Sequence, residues 1–285
     1  MSEIQLIWVK RWSKNNYDFV VFCETQYDDT YKAYAHTDED GNILPVTYFP
    51  MYEGTVINSR LRSLSGQTPT ASMTDEQETT AAKQNGERWD KQSFSEIVLM
   101  YEMCTMISKS TNSQGKFGNG NSNSDNFLQT GTLNGKGQFF GYTSTTQAVK
   151  VFYCENFFAN FWKRLRGLLL INGIYYVKPV PPYNSTGEGY INTGMTVTGT
   201  SGGYISKMEM ASDIGRIPTV VSGSETTYEC DGCYFNNAIV AVALFGGARS
   251  HASKCGLSYW SVNYPATSVH TSVVASLSCK PPVAA

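Results

Sequence analysis

The C-terminal stretch constrains the fold most, because two strand-like runs enclose a long polar connection. The apolar run 238–245 predicts a buried strand, and Gly246 and Gly247 after it let the backbone turn without steric cost. The closing run 274–279 alternates in polarity and predicts a second strand. Between the two runs, residues 248–273 contain no Asp, Glu, Gln or Met, and Ser is the commonest residue.

This connection has the composition of a paratope, the surface with which an antibody contacts its antigen. It is a mixture of Tyr, Trp, Ser, His, Arg and Asn. Aromatic side chains give contact area at a low cost in entropy, and small polar side chains give adaptable hydrogen bonds. An ordinary Ser-rich end of a β-hairpin has the same composition, so composition alone leaves both interpretations open.

Charge limits the kinds of partner that the chain can bind. The 285 residues carry a net charge of −2, and the isoelectric point is near 6.0. Nucleic acids and anionic membranes need concentrated Lys and Arg, so neither is expected as a partner. The one basic cluster, Lys163, Arg164 and Arg166, is predicted to form a solvated face. Charged residues make up only 16% of the chain, which favours a β-rich and loop-rich protein that works outside the cell or on a particle surface.

Signals for export or membrane insertion are not evident. The N-terminal residues lack a basic start followed by a long apolar run, so no signal peptide is expected. The apolar run 168–171 is interrupted by Asn172 and Gly173 and is too short to span a membrane. A surface-type composition without an export signal fits a protein released by lysis, such as a virion component, which is extracellular afterwards.

The seven cysteines are predicted to be mostly buried free thiols, since their number is odd and most are scattered in apolar settings. Cys230 and Cys233 have the spacing of a redox or metal half-site. No second Cys pair or paired His accompanies them, so we expect a turn with two incidental thiols and no zinc.

Local patterns predict strands near the N terminus and two helices further on. Residues 4–12 and 17–23 are strand-like. The first helix begins at Thr74, with acidic residues in its first turn, and the second begins at Ser93 with a capping box. The second helix has a stripe predicted to pack in the core: Ile97, Met100, Met103, Cys104 and Ile107.

Two segments between the helices and the C-terminal stretch have unusual compositions. Residues 111–138 are rich in Gly, Asn and Ser, and predict a long surface loop within one domain. Residues 149–162 contain six aromatic side chains and predict much of the core.

Several short motifs carry a resemblance to a known family. Its C-terminal part is Gly246 and Gly247, then Cys255 and Gly256, Asn263, Ala266, and the run 275–277. Further motifs are residues 155–162, Asn172 with Gly173, residues 181–184 and residues 202–207. This order resembles proteins diversified by retroelements, which act as receptor-binding proteins of phage tails, including those of phages of gut bacteria. Ala159, Val274 and Ser276 depart from the family pattern, which often has Gly, Gly and Arg there.

The resemblance implies a C-type-lectin-like α+β fold, with two helices packed on small antiparallel sheets and long irregular loops. It divides the chain into an N-terminal strand or attachment region, 1–30, and a lectin-like domain, 31–285. The variable region would cover about 244–279, and the Gly/Asn-rich loop about 111–138. A homotrimer that contacts other tail proteins is also implied.

The family mechanism rewrites adenines, mostly in Asn codons, so it restricts which residues can vary. Lys254 and Trp260 are not reachable in this way and are interpreted as fixed scaffold. The predicted ligand-binding face consists of Ala248, Arg249, Ser250, His251, Ser253, Tyr259, Ser261, Asn263, Tyr264, Thr267, Val269, His270, Thr271 and Val273. Tyr259, Trp260 and Tyr264 are candidate anchors, with strand register deciding which of Tyr259 and Trp260 points outward. Arg249, His251 and His270 are candidate polar readers.

The function that follows is a phage tail-tip adhesin that binds a bacterial surface protein or glycan, with no enzymatic activity and no cofactor. One alternative is an oxidase of the formylglycine-generating type, which shares the implied fold, and whose only candidate thiols are Cys230 and Cys233. Another is a structural tail protein without a ligand. Calcium is not expected in the binding face, because residues 248–273 contain no carboxylate.

Overall fold

Strands dominate the computed structural model, which describes residues 1–281. They hold 36% of the residues against 12% in helices, so the chain is mostly β with few helices around a curled sheet. The strands are β1 Ser2–Gln5, β2 Trp8–Lys14, β3 Tyr17–Cys23, β4 Val46–Phe49, β5 Thr55–Ile57, β6 Arg60–Arg62, β7 Trp89–Lys91, β8 Phe140–Gly141, β9 Val149–Val151, β10 Cys154–Glu155, β11 Trp162–Ile171, β12 Ile174–Val177, β13 Ile191–Thr196, β14 Thr198–Gly199, β15 Gly203–Tyr204, β16 Lys207–Met210, β17 Arg216–Val221, β18 Gly232–Phe235, β19 Val240–Phe245, β20 Trp260–Tyr264, β21 Val273–Ala275 and β22 Leu277–Cys279. The helices are α1 Asp75–Lys83, α2 Phe94–Ser108 and α3 Ser113–Phe117, with 3₁₀ turns at Tyr34–His36 and Ala252–Lys254.

The largest sheet places the variable region at its centre. Its strand order is β13-β12-β11-β19-β20-β18-β15, and β21 pairs in parallel with β11. Along β11 all residues but the last are buried, the pattern of a strand covered on both faces. The antiparallel pairs β11–β19 and β19–β20 bring β20 close to the same strand. β19 and β21 therefore pair directly with β11, and β20 lies one strand further out, beside β19.

Both ends of the chain meet in a second sheet of order β1-β4-β22-β7. Ser2 pairs with Phe49, and Tyr48 on the same strand pairs with Cys279. Residues 1–30 are thus joined to the remainder of the chain by a sheet that also contains the last strand. The attachment role of this region stays a prediction, and residues 282–285 of the predicted domain lie outside the described residues.

The β2–β3 hairpin is also held by a buried ion pair. Arg11 donates to both carboxylate oxygens of Glu102 on α2, at 2.7 and 2.8 Å. Both side chains are buried, so a charge removed from either would leave the other unpaired. The hairpin is therefore packed on the second helix, and residue 30 does not mark a break in the core.

The two longer helices begin where their capping signals predict. Thr74 caps α1 and Ser93 caps α2, each with a complete capping box. Residues 94–104 of α2 are buried on every side, and the expected stripe holds as far as Cys104. Ile107 is exposed instead, because the last turn of α2 extends beyond the core. Across residues 1–281, no helix combines the length and apolar character that crossing a membrane would need.

The basic cluster on β11 is buried, so the prediction of a solvated face is wrong. Each cation has a carboxylate partner from elsewhere in the chain. The pairs are Lys163 Nζ with Glu53 Oε1 (3.0 Å), Arg164 Nη1 with Glu78 Oε2 (3.1 Å) and Arg166 Nη1 with Asp75 Oδ2 (3.0 Å). Two of these carboxylates come from α1. The ion pairs therefore fasten α1 against the central strand.

Candidate ligand-binding face

Two loops carry most of the predicted face. The first loop, residues 246–259, joins β19 to β20, and the second loop, residues 265–272, joins β20 to β21. Phe245 and Trp260 pair at the start and end of the first loop. Val273, just after the second loop, pairs with Trp162 on β11. Because Lys163 beside Trp162 pairs with Phe245, the end of the second loop lies close to the start of the first loop.

The backbone of the second loop is held by residues outside the loop. Four of its carbonyl groups accept hydrogen bonds from the scaffold. The donors are Asp75 N–H to Ala266 (2.9 Å), Arg164 Nη2 to Ser268 (2.9 Å), Ser72 N–H to His270 (3.0 Å) and Trp162 N–H to Ser272 (2.9 Å). Meanwhile the side chains of Thr267, Val269 and Thr271 are exposed. The path of this loop is thus set by its main chain and leaves these three side chains available to a ligand.

The first loop is held by the Gly/Asn-rich loop, residues 111–138. Asn121 and Ser122 in that loop are completely buried. The Ser122 carbonyl accepts the Ala252 N–H at 2.7 Å, and the Ser124 N–H donates to the Arg249 carbonyl at 2.8 Å. The segment is therefore packed against the variable region, although its composition resembles that of a linker.

Glycine is required at the start of the first loop. Gly247 has φ +83°, a region that side chains rarely adopt. A Cβ there would also lie 2.6 Å from the Tyr259 ring and 2.7 Å from Cys255 Sγ. The glycine pair predicted as a turn is thus also a point of close packing.

Arg249 does not act as a free polar reader. Its Nη1 donates to the Ser124 carbonyl at 2.7 Å, and its guanidinium lies over the Phe127 ring at 4.6 Å. Phe127 in turn stacks on Phe161 with centroids 3.8 Å apart. The head group of Arg249 therefore binds the Gly/Asn-rich loop.

Four residues of the predicted face are buried, because they lie at or beside strands packed inside the molecule: Ala248, Tyr259, Ser261 and Val273. Tyr259 is no outward anchor, since its ring packs against Trp162 with centroids 4.5 Å apart. Trp260 is buried between Phe94 and Phe245, which agrees with a scaffold role. Neither member of the Tyr259–Trp260 pair points outward.

The remaining members of the face are accessible to different degrees. Ser250, Thr267, Val269 and Thr271 are exposed, and His251, Ser253, Asn263, Tyr264 and His270 are half-buried. Ser253 is engaged within the protein, with its Oγ 2.7 Å from the Tyr204 hydroxyl. Lys254, interpreted as scaffold, donates its ammonium to the Gly202 carbonyl.

A pocket of about 190 Å³ opens between the two loops. It is lined by Trp162, Tyr234, Ser250, His251, Ser261, Tyr264, His270, Ser272 and Val273. Six of these residues belong to the predicted face. Trp162, Tyr234 and Ser272 were missed. Trp162 ends an aromatic run that was predicted as core, and Tyr234 reaches the pocket through the pairing of β18 with β20.

Aromatic rings form two groups around this pocket. In one, His251 lies 5.3 Å from Trp162 and 5.9 Å from Tyr234 between ring centroids. In the other, Tyr264 and His270 lie 4.3 Å apart. These contacts give the pocket rigid walls of large contact area.

His251 is a neutral donor at physiological pH. Burial lowers its pKa to about 4, and nearby Lys254 adds to the effect. Its Nδ1 accepts the Ala248 N–H at 3.1 Å, so the proton of the neutral ring resides on Nε2.

Two buried hydroxyls in this region have no partner within residues 1–281: Ser261 Oγ and the Tyr259 hydroxyl. Ser261 lines the pocket, whereas Tyr259 packs behind its aromatic wall. Buried polar atoms are usually hydrogen-bonded, so a free hydroxyl at a pocket floor is a candidate contact for a ligand.

Cys230 and Cys233, the candidate thiols of the oxidase alternative, are buried, and their sulfur atoms contact different groups. Cys230 Sγ lies 4.0 Å from Asp231 Oδ1, and Cys233 Sγ lies 3.8 Å from the Tyr234 carbonyl. Burial raises the pKa of Cys230 to about 12 and that of Cys233 still further. Both therefore remain protonated thiols, which are poor nucleophiles and poor metal ligands.

Similarity to known proteins gives no further guide to this face. Neither a known family model nor a curated protein sequence matches the chain.

Proposed function

We propose that this protein is a receptor-binding adhesin of a phage tail, in which the two loops present a diversified face to a bacterial surface ligand. The observation that carries the proposal is the second loop, whose main chain is bound by the scaffold while Thr267, Val269 and Thr271 stay exposed. A protein that must change its specificity without losing its fold needs this separation of roles.

The proposed fold is C-type-lectin-like. In support, the first and last described strands share one sheet, two longer helices pack against strands, and long irregular loops precede and follow β20. The proposed particle is a homotrimer mounted on other tail proteins, extracellular after lysis. Several copies would add avidity to weak single sites.

The oxidase alternative finds no favourable observation. Its thiols are protonated and buried, and neither lines the pocket between the loops. A structural tail protein without a ligand would have no use for an aromatic-walled pocket with an unpaired hydroxyl.

Binding to whole bacteria tests the proposal. Fluorescently labelled protein is incubated with a panel of bacterial strains and scored by flow cytometry. An outer variant replaces Ser250, Thr267, Val269 and Thr271 together by Asn. We expect the wild-type chain to stain some strains and the outer variant to lose or change them.

A matched control replaces Ile191 and Thr196 by Asn, at two exposed positions of β13 on the edge of the largest sheet. This control should stain the same strains as the wild type. Staining that the outer variant leaves unchanged, or no staining of any strain, would contradict the proposed function.

A further inference from the structure

The hydroxyl of Ser261 is a polar atom that the fold itself does not use. It is buried, lines the pocket between the loops, and has no hydrogen-bond partner in the part of the chain that the structure describes. Leaving a buried hydroxyl unpaired is unfavourable for folding. Replacement by Ala would remove that cost, and since Ser261 lines the pocket its hydroxyl is a candidate partner for a bound group.

The walls of the pocket favour a ring-shaped ligand with apolar faces. Trp162, Tyr234 and Tyr264 each contribute an aromatic ring. Such rings pack against flat C–H surfaces through dispersion and through their negative faces. A six-membered sugar ring has these C–H faces and carries its hydroxyls around the edge, where Ser261 and the imidazoles can bond them.

The charge of the pocket lining limits the chemical class of the ligand further. Among the described residues that line the pocket there is no Asp, Glu, Lys or Arg. His251 is neutral and presents a donor, Nε2–H. A phosphate or carboxylate would find no countercharge here, and a cation would meet N–H and O–H donors. The chemistry that fits is neutral and rich in oxygen acceptors.

Size limits the ligand to a single unit. The pocket measures about 190 Å³, below the roughly 300–1,000 Å³ of sites that enclose drug-sized molecules. One monosaccharide unit can occupy such a space while its neighbours extend over the exposed side chains Thr267 and Thr271.

We infer that this pocket binds one neutral sugar unit of a bacterial surface glycan, without a metal. The inference rests on the proposed function and specifies its ligand class. Ser261 would bond a sugar hydroxyl, and the aromatic rings would hold the ring faces. The alternative occupant, a Phe side chain of a surface protein, would leave the Ser261 hydroxyl unpaired.

Saturation-transfer NMR with free sugars tests the inference directly. The probes are methyl glycosides of neutral hexoses, 6-deoxyhexoses and N-acetylhexosamines at millimolar concentration. We expect transfer to at least one of them from the wild-type protein. Ser261→Ala should weaken that binding by about three- to tenfold, the effect of one neutral hydrogen bond. Thr196→Ala, at an exposed residue of β13 outside both loops, is the control and should bind as the wild type does.

Because the Ser261 hydroxyl has no partner in the fold, Ser261→Ala should unfold at the wild-type temperature or above, which separates lost binding from misfolding. The inference is overturned if no glycoside binds, or if Ser261→Ala binds as tightly as the wild type.

The staining of whole bacteria distinguishes a failure of the sugar inference from a failure of the proposed adhesin function. If bacteria are stained but no glycoside binds, the pocket inference fails and the adhesin stands. If a glycoside binds while no strain is stained, the adhesin proposal is contradicted and the sugar-binding inference is supported. Staining that survives periodate oxidation of the cells and is lost on protease treatment would identify a protein ligand and contradict the sugar.

Discussion

The central strand β11 and the second loop that lies against it both carry polar groups. On the strand the side chains bind the rest of the chain, and in the loop the main chain does. On β11 the side chains join the strand to other parts of the chain, because Lys163, Arg164 and Arg166 form ion pairs with carboxylates at 3.0–3.1 Å. In the second loop the main chain is held, and the side chains of Thr267 and Thr271 point to solvent. Under the proposed function, fold and recognition would therefore depend on different atoms of neighbouring segments.

Arg164 joins the two regions. Its guanidinium pairs with Glu78 on α1 and donates to the Met73 and Ser268 carbonyls, each at 2.9 Å. Loss of this residue should therefore affect both the core and the loop, whereas loss of a loop side chain should affect neither. We therefore expect substitutions of buried, bonded side chains to lower the stability most and substitutions of exposed loop side chains to lower it least.

Arg164→Met should destabilise the protein most. It removes a buried cation and leaves Glu78 with Lys91 as its remaining cation, at 3.2 Å. Breaking a buried ion pair from one side costs about 3–5 kcal/mol, which urea unfolding would measure. Arg60→Met, at an exposed arginine, is the control and should change the free energy of unfolding by about 0.5 kcal/mol or less. Equal effects of the two variants would contradict the role of β11.

Asp231 makes a pH-dependent contribution beneath the first loop. Its Oδ2 accepts the Ser258 N–H and hydroxyl at 2.8 and 2.9 Å, and burial raises its pKa from 3.8 to about 7. The folded chain therefore keeps a proton between pH 4 and pH 7 that the unfolded chain has lost. This stabilising term is complete below about pH 4 and is lost as the pH rises through 7.

Asp231→Asn should remove this pH dependence. Relative to the Asn variant, the wild type should lose free energy of unfolding from pH 4 to pH 7, by at most about 4 kcal/mol at 1.36 kcal/mol per pKa unit. Taking the difference between the two proteins cancels the contributions of His36 and His251, whose lowered pKa values give the opposite slope. A difference that stays constant with pH would contradict a protonated Asp231.

Arg249→Ala tests whether this member of the predicted face belongs to the scaffold. Losing the bond to the Ser124 carbonyl and the contact with Phe127 should cost about 1–3 kcal/mol. The Ser124 and Ala252 amides, which join the two loops, should exchange hydrogen faster. Unchanged stability together with altered cell binding would show that Arg249 contacts the ligand and does not belong to the scaffold.

Short-range signals in the sequence were sufficient for some parts of the fold. The helix start at Thr74, the capping box at Ser93 and the turn at Gly246 depend on residues three or fewer positions apart, so they could be predicted. Thr267 and Val269 were placed on the face by the family resemblance, and both are exposed.

Long-range pairing could not be predicted from one sequence. The carboxylate partners of Arg164 and Arg166 lie some 90 positions away, on α1, so the cluster resembled a solvated face. The same limit applies to the pocket, where Trp162 meets His251 only after β11 and the first loop come together. Tyr259 was placed on the surface because its residue type suits a binding face, but its burial depends on packing against Trp162.

The stability of the outer variant tests the central claim most directly. It changes Ser250, Thr267, Val269 and Thr271 at once, while the hydrogen bonds that hold the second loop are made by main-chain atoms. We predict a free energy of unfolding within about 1 kcal/mol of the wild type, as expected for exposed substitutions. A loss comparable to that of Arg164→Met would show that these side chains hold the fold, and would contradict the account.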